Sequence, residues 1–273
     1  MKLGFIGCGK MATAMAKGAV GAGLVRPGDI MASGSTEDDS RQRFLGALSS
    51  ENGAPAWTGD NAEVVAFAET IVLAVKPQQT REALGGLRDI AAGKLFLSII
   101  TGITLAKLAE LLGPEARLVR AMPNTPMQVQ TGASVYAPGP TVSNQELSLA
   151  RDLLAASGEA WRLDEAHLDA VTALSGSGPA YVYHFIQGMI DGGEALGLDR
   201  KLARELAVQT VLGGAKMVER HVELSAHELA DQVKSPGGTT VAACEVLEQA
   251  EFEAIIVRAM AAAKTRAEEL ARH

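Results

Sequence analysis

Two short stretches of this 273-residue chain carry residue types and spacings suited to gripping anions. Residues 4–12 read GFIGCGKMA, in which Gly7, Gly9 and Ala12 fit the pattern G-x-G-x-x-G/A. Gly7 allows a tight turn, Gly9 lets backbone approach a pyrophosphate, and Ala12 permits close helix–strand packing. Cys8, Lys10 and Met11 fill the variable positions of the loop, and the segment MATAMAKGAVGAG continues as a helix. The N–H groups and partial positive charge of that helix's first turn would face the phosphates. The predicted ligand is a dinucleotide; a βα turn that binds nothing is the plain alternative. The second stretch, residues 234–249, reads KSPGGTTVAACEVLEQ. A turn followed by an N-cap accounts for it. So does a turn that exposes backbone N–H groups and a hydroxyl to a small anionic ligand. Gly237, Gly238 and Thr239 would form the anion nest, because a Cβ would block close approach and disfavour positive φ.

Other chemistry-bearing residues sit where strands should end. The second strand runs into Ser33-Gly34-Ser35-Thr36, where an NAD-binding chain usually places Asp or Glu against the ribose 2′-hydroxyl. Small hydroxyl residues there could receive a 2′-phosphate, and Arg41 and Arg43 lie nearby, although Glu37, Asp38 and Asp39 intervene. NADPH is therefore the expected cofactor, with NADH left open. Lys76 follows the run TIVLAV and precedes Pro77, so it either faces the ligand crevice or is simply solvated. Pro123-Asn124-Thr125-Pro126 makes a stiff loop past another strand, placed to line a site.

The elements that must hold these residues are legible from periodicity. Apolar runs at 2–7, 29–33, 70–75, 95–100 and 117–122 read as strands, with weaker candidates at 133–137 and 160–163. Helical stretches separate them, the pattern of a doubly wound, mainly parallel α/β sheet of Rossmann type. From residue 164 strand signals stop and the chain reads as all-α. Pro179 opens a helix, Asp199 caps another, and Ser225–Glu228 fits a capping box. A long final helix is expected after Gly238. The predicted domains are thus 1–163, nucleotide-binding, and 164–273, helical. Gly192-Gly193 and Gly213-Gly214 suit tight helix packing, including packing between subunits, so a dimer is expected.

Composition excludes several classes. Hydrophobic residues make up 47% of the chain, enough for well-buried cores, and a formal charge of −7 without basic blocks argues against nucleic acid or an acidic membrane surface. No apolar run approaches a membrane span, and the N-terminus does not read as a signal peptide. Two distant cysteines, Cys8 and Cys244, make no disulfide framework, so a reducing cytoplasm is expected. Cys244 is expected to be small and buried. The five histidines do not cluster at metal-ligand spacing, and no metal is expected.

Taken together, GFIGCGKMATAMAKG, LAVKP, RAMPNTP, TALSGSGPAYVY and SPGGTTVAACEVLE resemble, in order and spacing, the pyrroline-5-carboxylate reductase family, along nearly the whole chain. SPGGTT is the most specific of these segments and the Gly-rich loop the least. The resemblance implies reduction of 1-pyrroline-5-carboxylate to L-proline, the last step of proline biosynthesis, with NADPH or NADH. It implies helical domains interlocked as homodimers, assembled further into rings. Residue by residue, it implies pyrophosphate contacts from Gly7 to Ala12, and Ser33 and Ser35 near the adenosine ribose. Asn61, Ala74, Val75, Lys76 and Pro77, with Thr101 and Gly102, would also contact the cofactor. Glu165, Gly237, Gly238, Thr239 and Thr240 would border the substrate, a small cyclic imine bearing a carboxylate. Thr240 is the expected catalytic residue, its hydroxyl aimed at the ring nitrogen while the nest holds the carboxylate. The proton would come from solvent or through water relayed from Glu165, although Glu165 also reads as a first-turn carboxylate on a helix dipole. Many family members carry Asn-Arg-Thr or a similar basic triplet after the second strand; here Ser-Gly-Ser-Thr stands instead. That bears on the strength of the NADP preference and not on the reaction. The rival readings are a β-hydroxyacid dehydrogenase, against which the lack of a lysine after SGSG counts, and a non-catalytic NADP-binding scaffold, which would have no use for SPGGTT.

Overall fold

The computed structural model describes residues 1–34, 39–51 and 53–271. They divide into two compact units, Met1–Ser177 with Ala263–His273, and Gly178–Ala262.

In the first unit, strands alternate with helices: β1 Leu3–Ile6, α1 Lys10–Gly21, β2 Ile30–Ser33, α2 Ser40–Leu48, β3 Ala56–Thr58, α3 Asn61–Phe67, β4 Thr70–Leu73 and α4 Thr80–Leu84. Then come β5 Leu95–Ser98, α5 Leu105–Leu112, β6 Arg117–Met122, β7 Gly132–Pro138, α6 Asn144–Ala155, β8 Gly158–Arg162 and α7 Leu168–Val171. Among the described residues the strands form one sheet in the order β3-β2-β1-β4-β5-β6-β7-β8. Every pairing is parallel except β6 with β7. Strands β1, β4 and β5 are buried on both faces, as their unbroken apolar runs require. One core, containing Phe5, Met15 and Phe44, lies on the α1/α2 side; another, containing Ile71, Phe96 and Leu108, lies on the α3/α5 side. The expected strands all form. The sheet also gains β3, whose three residues, Ala56 to Thr58, are too short to stand out by periodicity.

The expected division at residues 163/164 falls instead at 177/178. Packing is the reason. Leu168 and Val171 of α7 join Val135 and Ala137 of β7 in a small buried cluster, with Met122 against it. Past α7, residues Thr172–Gly176 form a single π-helical turn.

The second unit contains α8 Gly178–Ala195, α9 Arg200–Arg220, α10 Ala226–Val233 and α11 Thr239–Gln249, followed by α12 Phe252–Ala271, whose last residues belong to the first unit. Asp199 caps α9 by accepting from the Lys201 and Leu202 N–H groups, and the capping box at Ser225 and Glu228 closes on α10 as expected. Gly193 sits where an added Cβ would lie 3.0 Å from the Ala203 Cβ, so the close packing of α8 on α9 leaves little room for a side chain there. The long final helix is in fact two. Ala250 ends α11, and Glu251 adopts φ 51° before α12 begins. No Gly or Pro marks that break. Cys244, expected buried, is only partly so. Many large apolar side chains of this unit stay exposed, among them Tyr183, Leu206, Leu212, Val246 and Val257. Among the described residues no helix is long and apolar enough to cross a membrane.

Candidate active site

The sheet order reverses direction between β1 and β4, and in open α/β sheets ligands bind at the carboxyl ends of strands at such a point. Backbone bonds fix the geometry there. The Gly7 N–H donates to the Ser33 carbonyl at 3.0 Å, and the Ala74 N–H donates to the Ile6 carbonyl at 2.8 Å. Gly7 has φ +97°, and a Cβ on it would come within 2.7 Å of the Ala74 carbonyl carbon and oxygen. Only glycine fits. Gly9 caps α1 without any side-chain hydrogen bond, so the first-turn N–H groups of that helix lack capping partners. A Cβ built on Gly9 would meet nothing within 4 Å. Open space above an uncapped helix N-terminus is the cradle a pyrophosphate needs.

This cradle opens into a cavity of about 480 Å³ that brings together Gly7, Cys8, Gly9, Asn61, Ala74, Val75 and Lys76. Ser33 is fully buried; its hydroxyl donates to Asn61 Oδ1 at 2.6 Å, and Asn61 Nδ2 donates to the Ala83 carbonyl at 2.8 Å. The carboxamide is thereby held rigid at the end of β2. Cys8 is buried, its sulfur 3.2 Å from Ser40 Oγ. Lys10 opens α1, and Ala12 is fully buried under it, the packing role its position predicts. Ser35 lies outside the described residues, as do Thr36, Glu37 and Asp38.

A neighbouring cavity of about 290 Å³ shares Ala74 and Val75 and adds Met11, Pro77 and Thr101. Asn124, Thr125, Met122 and Gly176 also line it. Asn124 is 9% exposed and accepts the Ala133 N–H on Oδ1 at 2.8 Å. The stiff PNTP loop pointed to this wall, and Met122 and Gly176 lie in the quoted segments RAMPNTP and TALSGSGPAYVY. Gly102 takes φ +77° in the turn just past Thr101.

Glu165 is committed to other elements. Its Oε1 accepts the Leu105 N–H, at the start of α5, at 2.7 Å, and Arg120 Nη1 at 3.1 Å. Arg120, 5% exposed, also reaches Asp169 Oδ1 at 3.4 Å. One carboxylate oxygen therefore ties the α5 N-terminus and β6 to the turn that leads into α7.

The remaining residues expected at the substrate belong to the second unit. Gly237 takes φ +68°, and the Gly238 N–H donates to the Ser235 carbonyl at 2.8 Å. The nest is thus narrower than expected, because Gly238 spends its donor on closing the turn. Thr239 and Thr240 open α11, where first-turn N–H groups have no carbonyl within the helix to reach. Among the described residues the hydroxyls of Thr239 and Thr240 have no hydrogen-bond partner. Nor is any group of three or more His, Cys, Asp or Glu there placed to hold a metal ion.

Residues 165–270 match the family described as pyrroline-5-carboxylate reductase dimerisation, and residues 2–102 match NADP oxidoreductase, coenzyme F420-dependent. The chain is 41% identical over 272 residues to a pyrroline-5-carboxylate reductase from Methanosarcina acetivorans, covering 98% of this chain and 97% of that one. It is 39% identical to one from Arabidopsis thaliana, at 98% and 95% coverage. Among solved structures, the Plasmodium falciparum pyrroline carboxylate reductase with NADP bound superposes with a TM-score of 0.88 at 31% identity, covering 99% and 98% of the two chains. The Coxiella burnetii pyrroline-5-carboxylate reductase superposes at 0.87 with 35% identity and 98% coverage of each.

Proposed function

The chain belongs to the pyrroline-5-carboxylate reductase family, and from that premise we propose that it reduces 1-pyrroline-5-carboxylate to L-proline with NADPH as the hydride source, NADH serving less well. The observation that carries the proposal is full-length similarity at 41% identity to a reductase of that name. The open, uncapped Gly7–Gly9 cradle supports the cofactor half of it on independent physical grounds.

The reaction adds a hydride to the imine carbon and a proton to the nitrogen. When bound, the nicotinamide supplies the hydride. The chain's own residues bind, orient and exclude. Gly7, Gly9 and the α1 N-terminus hold the pyrophosphate, and Ser33 with Asn61 fixes the adenosine ribose. Lys10 and Met11 border the phosphates; Lys76, Pro77, Thr101 and Gly102 line the path towards the nicotinamide. On the second unit, the N–H groups of Thr239 and Thr240 take the substrate carboxylate, with Gly237 and Gly238 shaping the turn that presents them. The Thr240 hydroxyl then meets the ring nitrogen, accepting from the protonated imine and donating to the product amine. Fixing that geometry supplies much of the acceleration. Glu165 holds the α5 N-terminus in register and bounds the substrate region through it.

The helical unit forms the homodimer, as its match to a dimerisation family and its uncovered apolar side chains indicate. Dimers assemble further into a ring, and the enzyme works in the cytoplasm without a membrane or nucleic-acid partner, in keeping with two free cysteines and an acidic surface. Mixing the protein with NADPH and pyrroline-5-carboxylate and following loss of nicotinamide absorbance tests the reaction. Turnover is expected there and none with 3-hydroxy acids and NADP; the reverse pattern would overturn the proposal. Light scattering reads the assembly.

A further inference from the structure

We propose that Arg41, held over the ring of Trp57, is the 2′-phosphate grip that gives this chain its preference for NADPH; the inference rests on the reading of the chain as an NADPH-dependent reductase. A residue at the end of the second Rossmann strand faces the adenosine ribose, and discrimination at that ribose falls to a carboxylate for the free hydroxyl or a nearby arginine for the phosphate. In this chain β2 ends in Ser33, which is neutral and already donates to Asn61. The carboxylate is missing from that position. A cation on a neighbouring element would supply the charge that this position lacks.

Arg41 lies in the first turn of α2, and its guanidinium carbon sits 4.2 Å from the centroid of the Trp57 ring. Trp57 is in β3, paired directly with Ala32 of β2, so the arginine is fixed one strand away from the end of β2. Ser40, the residue before Arg41, lines the nucleotide cavity, as does Gly59, two residues after Trp57. A Cβ on Gly59 would lie 3.9 Å from the far edge of the indole, so the ring sits beside a residue that lines the cavity. Arg41 is exposed and, among the described residues, forms no ion pair. Stacking on the indole face restrains the long side chain before any ligand arrives, and a planar guanidinium suits bidentate capture of a phosphate.

Calorimetric titration with adenosine 2′,5′-bisphosphate and with AMP isolates the phosphate in question from the catalytic reaction. The unmodified chain is expected to bind the bisphosphate more tightly. Arg41→Ala is expected to erase about tenfold of that advantage, the scale of one charge-assisted contact, and to raise KM for NADPH alike while KM for NADH moves little. Arg41→Lys should recover only part of the loss. Trp57→Leu should lower the same ratio by a smaller factor, since the charge remains but is no longer held. An undiminished bisphosphate advantage in Arg41→Ala, or an equal loss for AMP and NADH, would overturn the assignment. If the unmodified chain binds the bisphosphate as expected but never reduces pyrroline-5-carboxylate, the proposed reaction fails and the phosphate grip stands.

Discussion

Thr240 and Gly7 mark two kinds of residue in the proposed mechanism, one for what its side chain would offer and one for lacking a side chain. Thr240→Ala removes a hydroxyl that has no structural partner among the described residues, so the fold should tolerate it. We expect kcat to fall by roughly tenfold or more, the worth of a lost hydrogen bond to a charged group, with the NADPH Kd from fluorescence titration unchanged. Unaltered turnover would remove Thr240 from the reaction. Gly7→Ala should behave in the opposite way. At φ +97° with backbone 2.7 Å from the new methyl, it should cost on the order of 1–3 kcal/mol in strain alone, lowering the melting temperature and NADPH affinity together. The local backbone at both places was legible in the sequence because its logic is local: a glycine pattern between a strand and a helix, and a di-glycine turn before threonines. The engagement of Gly238 was not legible, since which N–H closes a turn depends on dihedral angles that several sequences share. Arg41 was visible as a nearby cation, but its stacking partner stands in a strand too short to read.

At the scale of elements, the Arg120–Glu165–Asp169 group shows how distant pieces are kept in register. Sequence read Glu165 as a substrate neighbour or a local dipole partner. In the fold it serves a helix sixty residues earlier, accepting the Leu105 N–H, and such a pairing leaves no periodic trace. Glu165→Ala would orphan that N–H and remove one of two carboxylates from a buried guanidinium, so a loss of about 1–3 kcal/mol is expected from the urea midpoint. Glu165→Gln keeps an acceptor and should lose less. If both variants melt like the parent while kcat falls, Glu165 acts on substrate and not through α5. The strands were readable because both faces are buried, which turns each into a continuous apolar run. The π-turn at Thr172–Gly176 and the break at Glu251 were hidden, because neither carries Pro or a glycine forced by positive φ.

For the whole molecule, the second unit exposes too much apolar surface to be a finished monomer. Exposed side chains such as Leu206, Leu212 and Val257, at 50%, 47% and 66% of their full accessibility, would be costly to leave in water. Substituting all three with Glu should shift the sedimentation profile from dimer to monomer and abolish turnover, while NADPH binding by the first unit persists. A dimer that survives those charges would place the interface elsewhere on the helices. The sequence foresaw the pairing of a nucleotide-binding half with a helical half but set the border too early, because α7 looks like the first of the helices and yet packs on β7.

The return of residues 263–271 to the first unit, with Ala267 only 3% exposed there, bears on how the chain is made. As it leaves the ribosome, the nucleotide-binding sheet emerges first, yet its last packing segment is translated after the entire helical unit. The half that starts earliest is therefore completed last. Ribosome-stalled fragments ending near residue 200 should accordingly be far more open to protease within the sheet than the released chain.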